Sequence, residues 1–125
     1  MGLDKKRILI VDDEEDFTRL VKLNLEATGR YEVLTQGLGG EAVASARRFK
    51  PDLILLDIIM PDVEGTEVAR RLGADKETKD IPIVFITAAI TKEEAESRTG
   101  VPGSLPYIAK PARLDELIAA IEKYT

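Results

Sequence analysis

Four apolar segments of the sequence each stop at polar side chains that could do chemistry together. The polar residues at these four endpoints are Asp12 and Asp13, Asp57, Thr87, and Lys110. Carboxylates suit a hard divalent cation such as Mg²⁺, and a lysine can neutralise an anionic substrate. Asp57 is the most informative of the set, because it directly follows an uninterrupted apolar run at residues 53–56.

These endpoints are predicted to meet at one edge of a parallel sheet. Residues 53–56 form a continuous apolar run without alternation. The run is too short for a helix and is typical of a strand buried on both faces. Residues 8–11 show the same pattern before Asp12. Because the carboxyl ends of parallel strands share an edge, and ligands bind in the crevice there, we expect the polar endpoints to converge.

The clustered carboxylates predict a metal ion and a phosphoryl reaction. Three carboxylates repel one another unless a divalent cation neutralises them, and Mg²⁺ favours a few carboxylates together with water and phosphate oxygens. A carboxylate beside bound Mg²⁺ can attack phosphorus, because phosphoryl transfer depends mainly on alignment and charge neutralisation. In this interpretation Lys110 contributes a neutralising charge and Thr87 a hydrogen bond.

Each of these residues also has an ordinary structural interpretation. Asp57 and Thr87 could cap the segments that follow them, and Lys110 could be a solvated surface lysine. Acids after the first strand could complement a helix dipole. We assign that role to Glu14, Glu15 and Asp16. The combination of polar groups at four endpoints favours a pocket, which Asp12 and Asp13 are expected to face.

Strand and helix patterns alternate along the chain. Expected strands cover residues 7–11, 31–35, 53–56, 81–86 and 107–109. Expected helices run from residue 17 to a stop at Gly29, over 42–49, over 65–72, from a capping box at Thr91 and Glu94, and over 114–121. Pro106 removes a ladder donor, which makes the last strand an edge. Five strand-then-helix units predict a doubly wound, five-stranded parallel α/β sheet with five helices, in a single domain over residues 1–125.

Composition excludes several classes of function. The chain has 125 residues, no cysteine and no histidine, so disulfides, thiolate or imidazole metal sites and Ser-His catalysis are excluded. The net charge of −5 disfavours nonspecific binding of nucleic acid by this domain. No apolar stretch reaches membrane-spanning length, and residues 1–7 are too short and polar for a signal peptide. We therefore expect a cytoplasmic protein.

Four motifs together resemble one known family. They are Val11-Asp12-Asp13; Leu55-Leu56-Asp57 with Met60-Pro61 and Gly65; Ile86-Thr87-Ala88; and Tyr107-Ile108-Ala109-Lys110-Pro111. In this order, at the ends of successive strands, they resemble the receiver domain of bacterial two-component response regulators. The resemblance covers nearly the whole chain and implies a flavodoxin-like strand order, 2-1-3-4-5.

The resemblance implies a role for each candidate site residue. Asp57 resembles the phosphoacceptor. The implied cofactor is Mg²⁺, and its implied ligands are Asp12, Asp13, Asp57 and the backbone carbonyl of Ile59. Thr87 resembles the switch hydroxyl that turns toward the phosphoryl group, and Tyr107 resembles the aromatic residue that rotates to report the state. Lys110 resembles the phosphate-binding lysine, with a cis bond expected before Pro111.

The resemblance also implies a function and partners. A sensor histidine kinase or a histidine phosphotransfer protein would donate the phosphoryl group. The last two helices and the last strand would form an output face for a partner or a receiver homodimer. The expected protein is a phosphorylation-dependent switch and not an enzyme, with at most intrinsic autophosphorylation and autodephosphorylation. Residues 103–106 depart from the family's usual Gly-Ala-Asp-Asp-like approach to the last strand, so the partner of this face stays open. Also open is whether the chain stands alone or is the amino-terminal piece of a longer regulator.

Two other classes fit parts of the pattern. A Mg²⁺-dependent phosphotransferase or phosphatase of the haloacid-dehalogenase type also uses an Asp after a parallel strand. Such enzymes need a second Asp two positions later, where this chain has Ile59. A receiver-like interaction module that is never phosphorylated is disfavoured by the intact set of acids.

Two apolar residues predict a long-lived phosphorylated state. In the family, the positions two after the phosphoacceptor and two after the switch hydroxyl border the path of the attacking water. These positions are Ile59 and Ala89, neither of which can hydrogen-bond a water molecule. Small Ala89 could instead admit water freely, but we expect orientation to matter more than access, and therefore slow hydrolysis.

Overall fold

The computed structural model describes residues 5–88 and 105–125. Within them the elements are β1 (Lys6–Val11), α1 (Glu15–Ala27), β2 (Tyr31–Gln36), a 3₁₀ turn (Gly39–Glu41), α2 (Ala42–Phe49), β3 (Leu53–Leu56), α3 (Gly65–Ala74), β4 (Ile83–Thr87), β5 (Tyr107–Ala109) and α4 (Leu114–Tyr124). None of the helices in this described part is long and apolar enough to cross a membrane. The helix expected to begin at Thr91 lies outside the described residues.

The five strands form one parallel sheet in the order β2-β1-β3-β4-β5, which confirms the predicted fold. Strand β3 is central, and all four of its residues are buried. Val11 at the end of β1 lies beside Leu56 at the end of β3. This register places the residues that follow the two strands next to each other at the carboxyl edge of the sheet.

Alternation along the strands separates the core into two layers. Ile8 and Ile10 of β1 face the layer that includes α1 and α4. Leu9 and Val11 face the opposite layer, which includes α2 and α3. Burial on both faces explains why the strands read as continuous apolar runs.

Two elements begin two residues away from their predicted starts. Helix α1 begins at Glu15, two residues before the expected start, and ends at Ala27. Gly29, two residues later, has a φ of +78°. This left-handed conformation is typical of a glycine that ends a helix, which is the role predicted for Gly29. Strand β4 begins at Ile83 and not at Ile81, because the N–H of Ile81 donates to Thr78 in a turn and Pro82 has no N–H for the ladder.

Candidate functional site

Ladder hydrogen bonds fix the backbone of the candidate site beyond the ends of the strands. The N–H of Asp57 donates to the carbonyl of Val11 at 2.9 Å. The N–H of Lys110 donates to the carbonyl of Thr87, also at 2.9 Å. These bonds join the end of β1 to the end of β3 and the end of β4 to the end of β5, so the backbone positions of the predicted endpoints follow from the sheet itself.

Three carboxylates meet at this edge. Asp12, Asp13 and Asp57 each place one oxygen so that all three oxygens lie within 4.8 Å of one another. Asp12 and Asp57 are buried, whereas Asp13 is exposed. The predicted convergence of these acids is therefore present, with an opening to solvent on the side of Asp13.

The ammonium group of Lys110 lies among these acids and is only 9% exposed. Its Nζ is 2.7 Å from Oδ2 of Asp12 and 3.7 Å from Oδ2 of Asp57. It also donates to the carboxylate of Glu14 and lies 4.5 Å from the centre of the Phe17 ring. Lys110 is thus a pocket residue, and its interpretation as a solvated surface lysine is wrong.

Two further donors approach the carboxylate of Asp57. The hydroxyl of Thr87, which is buried, donates a hydrogen bond to it. The backbone N–H of Ile59 donates another. Asp57 is therefore held in place from the end of β4 and from the loop that follows β3.

Burial and charge shift the acid–base properties of the cluster. Burial, together with the negative charge of Asp12, raises the pKa of Asp57 above its ordinary value, and Lys110, Thr87 and the Ile59 N–H only partly offset this. Burial also raises the pKa of Asp12 despite its pairing with Lys110. The pKa of Lys110 is raised even though burial opposes this, because the carboxylates of Asp12 and Glu14 stabilise its charged form. Burial and charge therefore raise the proton affinity of Asp12, Asp57 and Lys110.

The carboxylates fit a divalent cation. Oδ1 of Asp12 accepts the N–H of Glu14 at 2.9 Å, but the buried Oδ2 has no partner in hydrogen-bond geometry among the described residues. The nearby ammonium of Lys110 approaches Oδ2 at ion-pair distance without that alignment. An oxygen left in this state, beside two more carboxylates, is a suitable ligand for a hard cation such as Mg²⁺.

The loop after Asp57 is fixed at both of its ends. The N–H of Gly65 donates to the carbonyl of Ile58 at 2.7 Å. The carboxylate of Asp62 accepts the N–H groups of Gly39 and Gly40 at 3.1 and 2.9 Å, and these bonds lower its pKa. Between these anchors the side chain of Ile59 is left 64% exposed. Asp62 is not among the predicted site residues, although an Asp opposite a Gly-Gly pair is compatible with such capping.

Tyr107 lies at the opposite end of β5 from Lys110 and outside the carboxylate cluster. Its ring is half-buried and packs against Phe85, with the ring centres 5.1 Å apart. The Lys110–Pro111 peptide bond is cis, as predicted. The reporting role expected for Tyr107 stays a prediction.

The structure corrects the interpretation of Glu14. Its sequence context predicts a first-turn acid, but α1 begins only at Glu15, and the first-turn acids are Glu15 and Asp16. The carboxylate of Glu14 instead contacts Lys110. Nothing in the sequence pattern pairs these two residues, which are 96 positions apart.

Comparison with known proteins identifies the family of this chain. A family model described as the response regulator receiver domain matches residues 8–122. The chain belongs to this family. It is 39% identical over 119 residues to the polar-differentiation response regulator DivK of Brucella ovis, and the match covers 95% of each chain.

Solved structures of receiver proteins have the same fold. The chemotaxis protein CheY4 of Vibrio cholerae is 27% identical, with a TM-score of 0.82 over 98% of this chain and 100% of that one. The receiver domain of a modulated diguanylate cyclase from Desulfovibrio desulfuricans G20 is 34% identical, with a TM-score of 0.76 over 97% and 94% of the two chains. The similarity extends over nearly the full length of each receiver.

Proposed function

We propose that this protein is a phosphorylation-dependent switch of a two-component system, in a single cytoplasmic receiver domain. Asp57 accepts a phosphoryl group from a sensor histidine kinase or a histidine phosphotransfer protein. The observation that carries this proposal is the environment of Asp57: a buried carboxylate that has Asp12, Lys110 and Thr87 as neighbours.

The chemistry of acceptance is a single displacement at phosphorus. A carboxylate oxygen of Asp57 attacks, the new O–P bond forms, and the bond from phosphorus to the nitrogen of the donor histidine breaks. The raised pKa of Asp57 makes its ionised form a stronger base, and therefore a better nucleophile, than an exposed carboxylate.

Asp12, Asp13, Asp57 and the backbone carbonyl of Ile59 would hold the Mg²⁺ ion. When bound, Mg²⁺ supplies charge neutralisation to the phosphoryl oxygens. Lys110, whose Nζ lies 2.7 Å from Oδ2 of Asp12 and 3.7 Å from Oδ2 of Asp57, would supply a second positive charge. The buried hydroxyl of Thr87 can exchange its bond to Asp57 for one to the phosphoryl group, which gives the switch its first step.

The output face includes β5 and α4. Tyr107 and Pro106 line a groove there together with Lys123 and Tyr124. Thr87 at the end of β4 lies beside β5, where it pairs with Ala109. A change at the phosphorylation site therefore has a direct structural route to Tyr107. The position two after Asp57, where a phosphatase of the haloacid-dehalogenase type has its second Asp, holds the apolar Ile59, which favours a switch over a phosphatase.

Acetyl phosphate labelling tests the proposal. With Mg²⁺, intact-mass and peptide mass spectrometry should show one phosphoryl group, on Asp57, and Asp57→Asn should abolish it. The matched control is Asp52→Asn at the other end of β3, where the carboxylate accepts the N–H of Arg7. This control should label like the wild type. Equal labelling of Asp57→Asn and wild type would overturn the proposal.

A further inference from the structure

Lys110 has more anionic partners than its proposed role requires. An ammonium group has three donors. The described contacts of Lys110 include three carboxylates, those of Asp12, Glu14 and Asp57, together with the face of the Phe17 ring. Only Asp57 and its neighbours belong to the proposed phosphorylation chemistry, so Glu14 and Phe17 need a separate explanation.

The ammonium lies toward α1 and away from the phosphoacceptor. It contacts Asp12 and Glu14 closely, but its 3.7 Å separation from Oδ2 of Asp57 exceeds hydrogen-bond distance. The Phe17 ring on the first turns of α1 adds an attractive surface on the same side. To contact a phosphoryl group on Asp57, the ammonium must turn away from at least one of these partners.

Asp12 and Glu14 differ in how they would respond to a bound cation. Asp12 belongs to the proposed ligand set, so a cation competes with Lys110 for its carboxylate. Glu14 does not belong to that set and is 59% exposed. Its attraction for Lys110 therefore remains when the metal is bound.

We propose that Glu14 is a positioning residue that holds Lys110 away from Asp57 in the unphosphorylated protein and competes with the phosphoryl group for the ammonium. The inference rests on the proposed function of Asp57 and adds a specific restraint to it. Glu14 tunes how readily the receiver is phosphorylated and how stable the phosphorylated state is, without touching the reacting atoms.

The size of the effect follows from the exposure of the pair. One partner is buried and the other is half-exposed, so the contact lies at the upper end of the range for surface ion pairs, which corresponds to roughly a two- to fivefold change in an equilibrium constant. Loss of the Glu14 charge should shift the ammonium toward Asp57 and tighten the binding of an anionic phosphoryl mimic by about this factor.

Beryllofluoride at saturating Mg²⁺ tests the inference, with its affinity measured by NMR titration. Glu14→Gln keeps the length of the side chain and removes its charge. Glu15→Gln is the matched control, because it makes the same change of net charge one residue later, at an exposed position in the first turn of α1. Both substitutions are repeated in a Lys110→Met background.

The inference expects Glu14→Gln to bind beryllofluoride more tightly than the wild type, and Glu15→Gln to bind like the wild type. In the Lys110→Met background the gain from Glu14→Gln should disappear. Unchanged or weaker binding by Glu14→Gln, an equal gain in Glu15→Gln, or a gain that persists without Lys110 would each overturn the inference.

A second readout keeps the test decisive if Lys110→Met binds too weakly to measure. The ¹⁵Nζ signal of Lys110, recorded without beryllofluoride, should shift in Glu14→Gln and not in Glu15→Gln. An unshifted signal in Glu14→Gln would refute the proposed restraint. Failure of the wild type to bind beryllofluoride at all would instead count against the proposed function of Asp57, so the two failures can be told apart.

Discussion

A β-carbon placed on Gly65 would lie 2.1 Å from the main-chain oxygen of Asp57. The first residue of α3 therefore packs directly against the backbone of the candidate phosphoacceptor. The same glycine donates its N–H to Ile58. This close approach fixes the loop that carries the Ile59 carbonyl, and it has room only for a residue without a side chain.

Gly65→Ala should therefore destabilise the fold and impair phosphorylation. The added methyl must displace backbone atoms, for which we expect a loss of about 1–3 kcal/mol in the free energy of unfolding. Denaturant titration measures the loss, and acetyl phosphate labelling measures the functional effect.

Gly73→Ala in the same helix is the control for Gly65→Ala. Apart from the adjacent residues and backbone of its own helix, no heavy atom of the described residues lies within 4 Å of a β-carbon at Gly73, so alanine should stabilise the helix by roughly 0.5–1 kcal/mol. Similar responses of the two variants would show that the close approach to Asp57 is not the cause.

The sequence was sufficient to predict the sheet and the strand-end cluster, because both follow from periodicity. Continuous apolar runs identify strands buried on both faces, and parallel strands place their carboxyl ends on one edge. The convergence of Asp12, Asp57, Thr87 and Lys110 is a consequence of that geometry alone. Their roles as ligands, acceptor and switch remain predictions.

Contacts that depend on the direction of a side chain were not predictable in this way. Glu14 has the sequence context of a first-turn acid, and its contact with Lys110 depends on which way the lysine turns at the end of β5. Asp62 binds Gly39 and Gly40 across two loops whose approach is set by the packing of α2 and α3. Neither the Glu14–Lys110 contact nor the hydrogen bonds of Asp62 correspond to a periodic pattern in the sequence.

Asp13→Asn should stabilise the protein when no divalent cation is present. The change removes one of three mutually repelling carboxylates, and because Asp13 is exposed we expect a gain of about 0.2–1 kcal/mol that shrinks with added salt. With Mg²⁺ the wild type should be more stable than Asp13→Asn, since the wild type gains more stability from metal binding. Thermal melts with and without Mg²⁺ measure both effects.

The control for Asp13→Asn is Asp16→Asn, which changes the net charge equally at an exposed acid beside Arg19. Removing this first-turn acid should give no gain, because it loses a favourable interaction with the helix dipole. Destabilisation of Asp13→Asn in the metal-free protein would contradict the idea that the three acids repel one another.

Stability at high pH should depend on Tyr31. Burial, with the hydrogen bond to Glu122 at 2.6 Å and the charge of that residue, raises the pKa of Tyr31 from 10.0 to about 12. The folded chain therefore holds a proton that the unfolded chain has lost between these values. As pH rises through this window, the free energy of unfolding must fall.

Denaturant unfolding at several pH values tests this dependence. Between pH 10 and about 12 the wild type should lose stability more steeply than Tyr31→Phe, which lacks the titrating hydroxyl. Parallel slopes for the two proteins would show that Tyr31 does not titrate differently in the folded and unfolded states.

Slow hydrolysis of phosphorylated Asp57 is expected from the side chain of Ile59. With 64% of this residue exposed, water can reach the site beside Asp57, but an aliphatic group cannot orient it for attack. Ala89, the second position in this prediction, lies outside the described residues. Ile59→Asn should position a water molecule through one hydrogen bond and accelerate dephosphorylation by roughly two- to tenfold.

The comparison that isolates water positioning is Ile59→Leu, which changes the shape of the side chain without adding a polar group. Its rate should match that of the wild type, measured as loss of the phosphorylated mass in the presence of Mg²⁺ after acetyl phosphate is removed. If Ile59→Leu accelerates the decay as much as Ile59→Asn, packing beside Asp57 sets the lifetime. If neither variant accelerates it, the rate is limited elsewhere in the pocket, and orientation of water at residue 59 has no part in it.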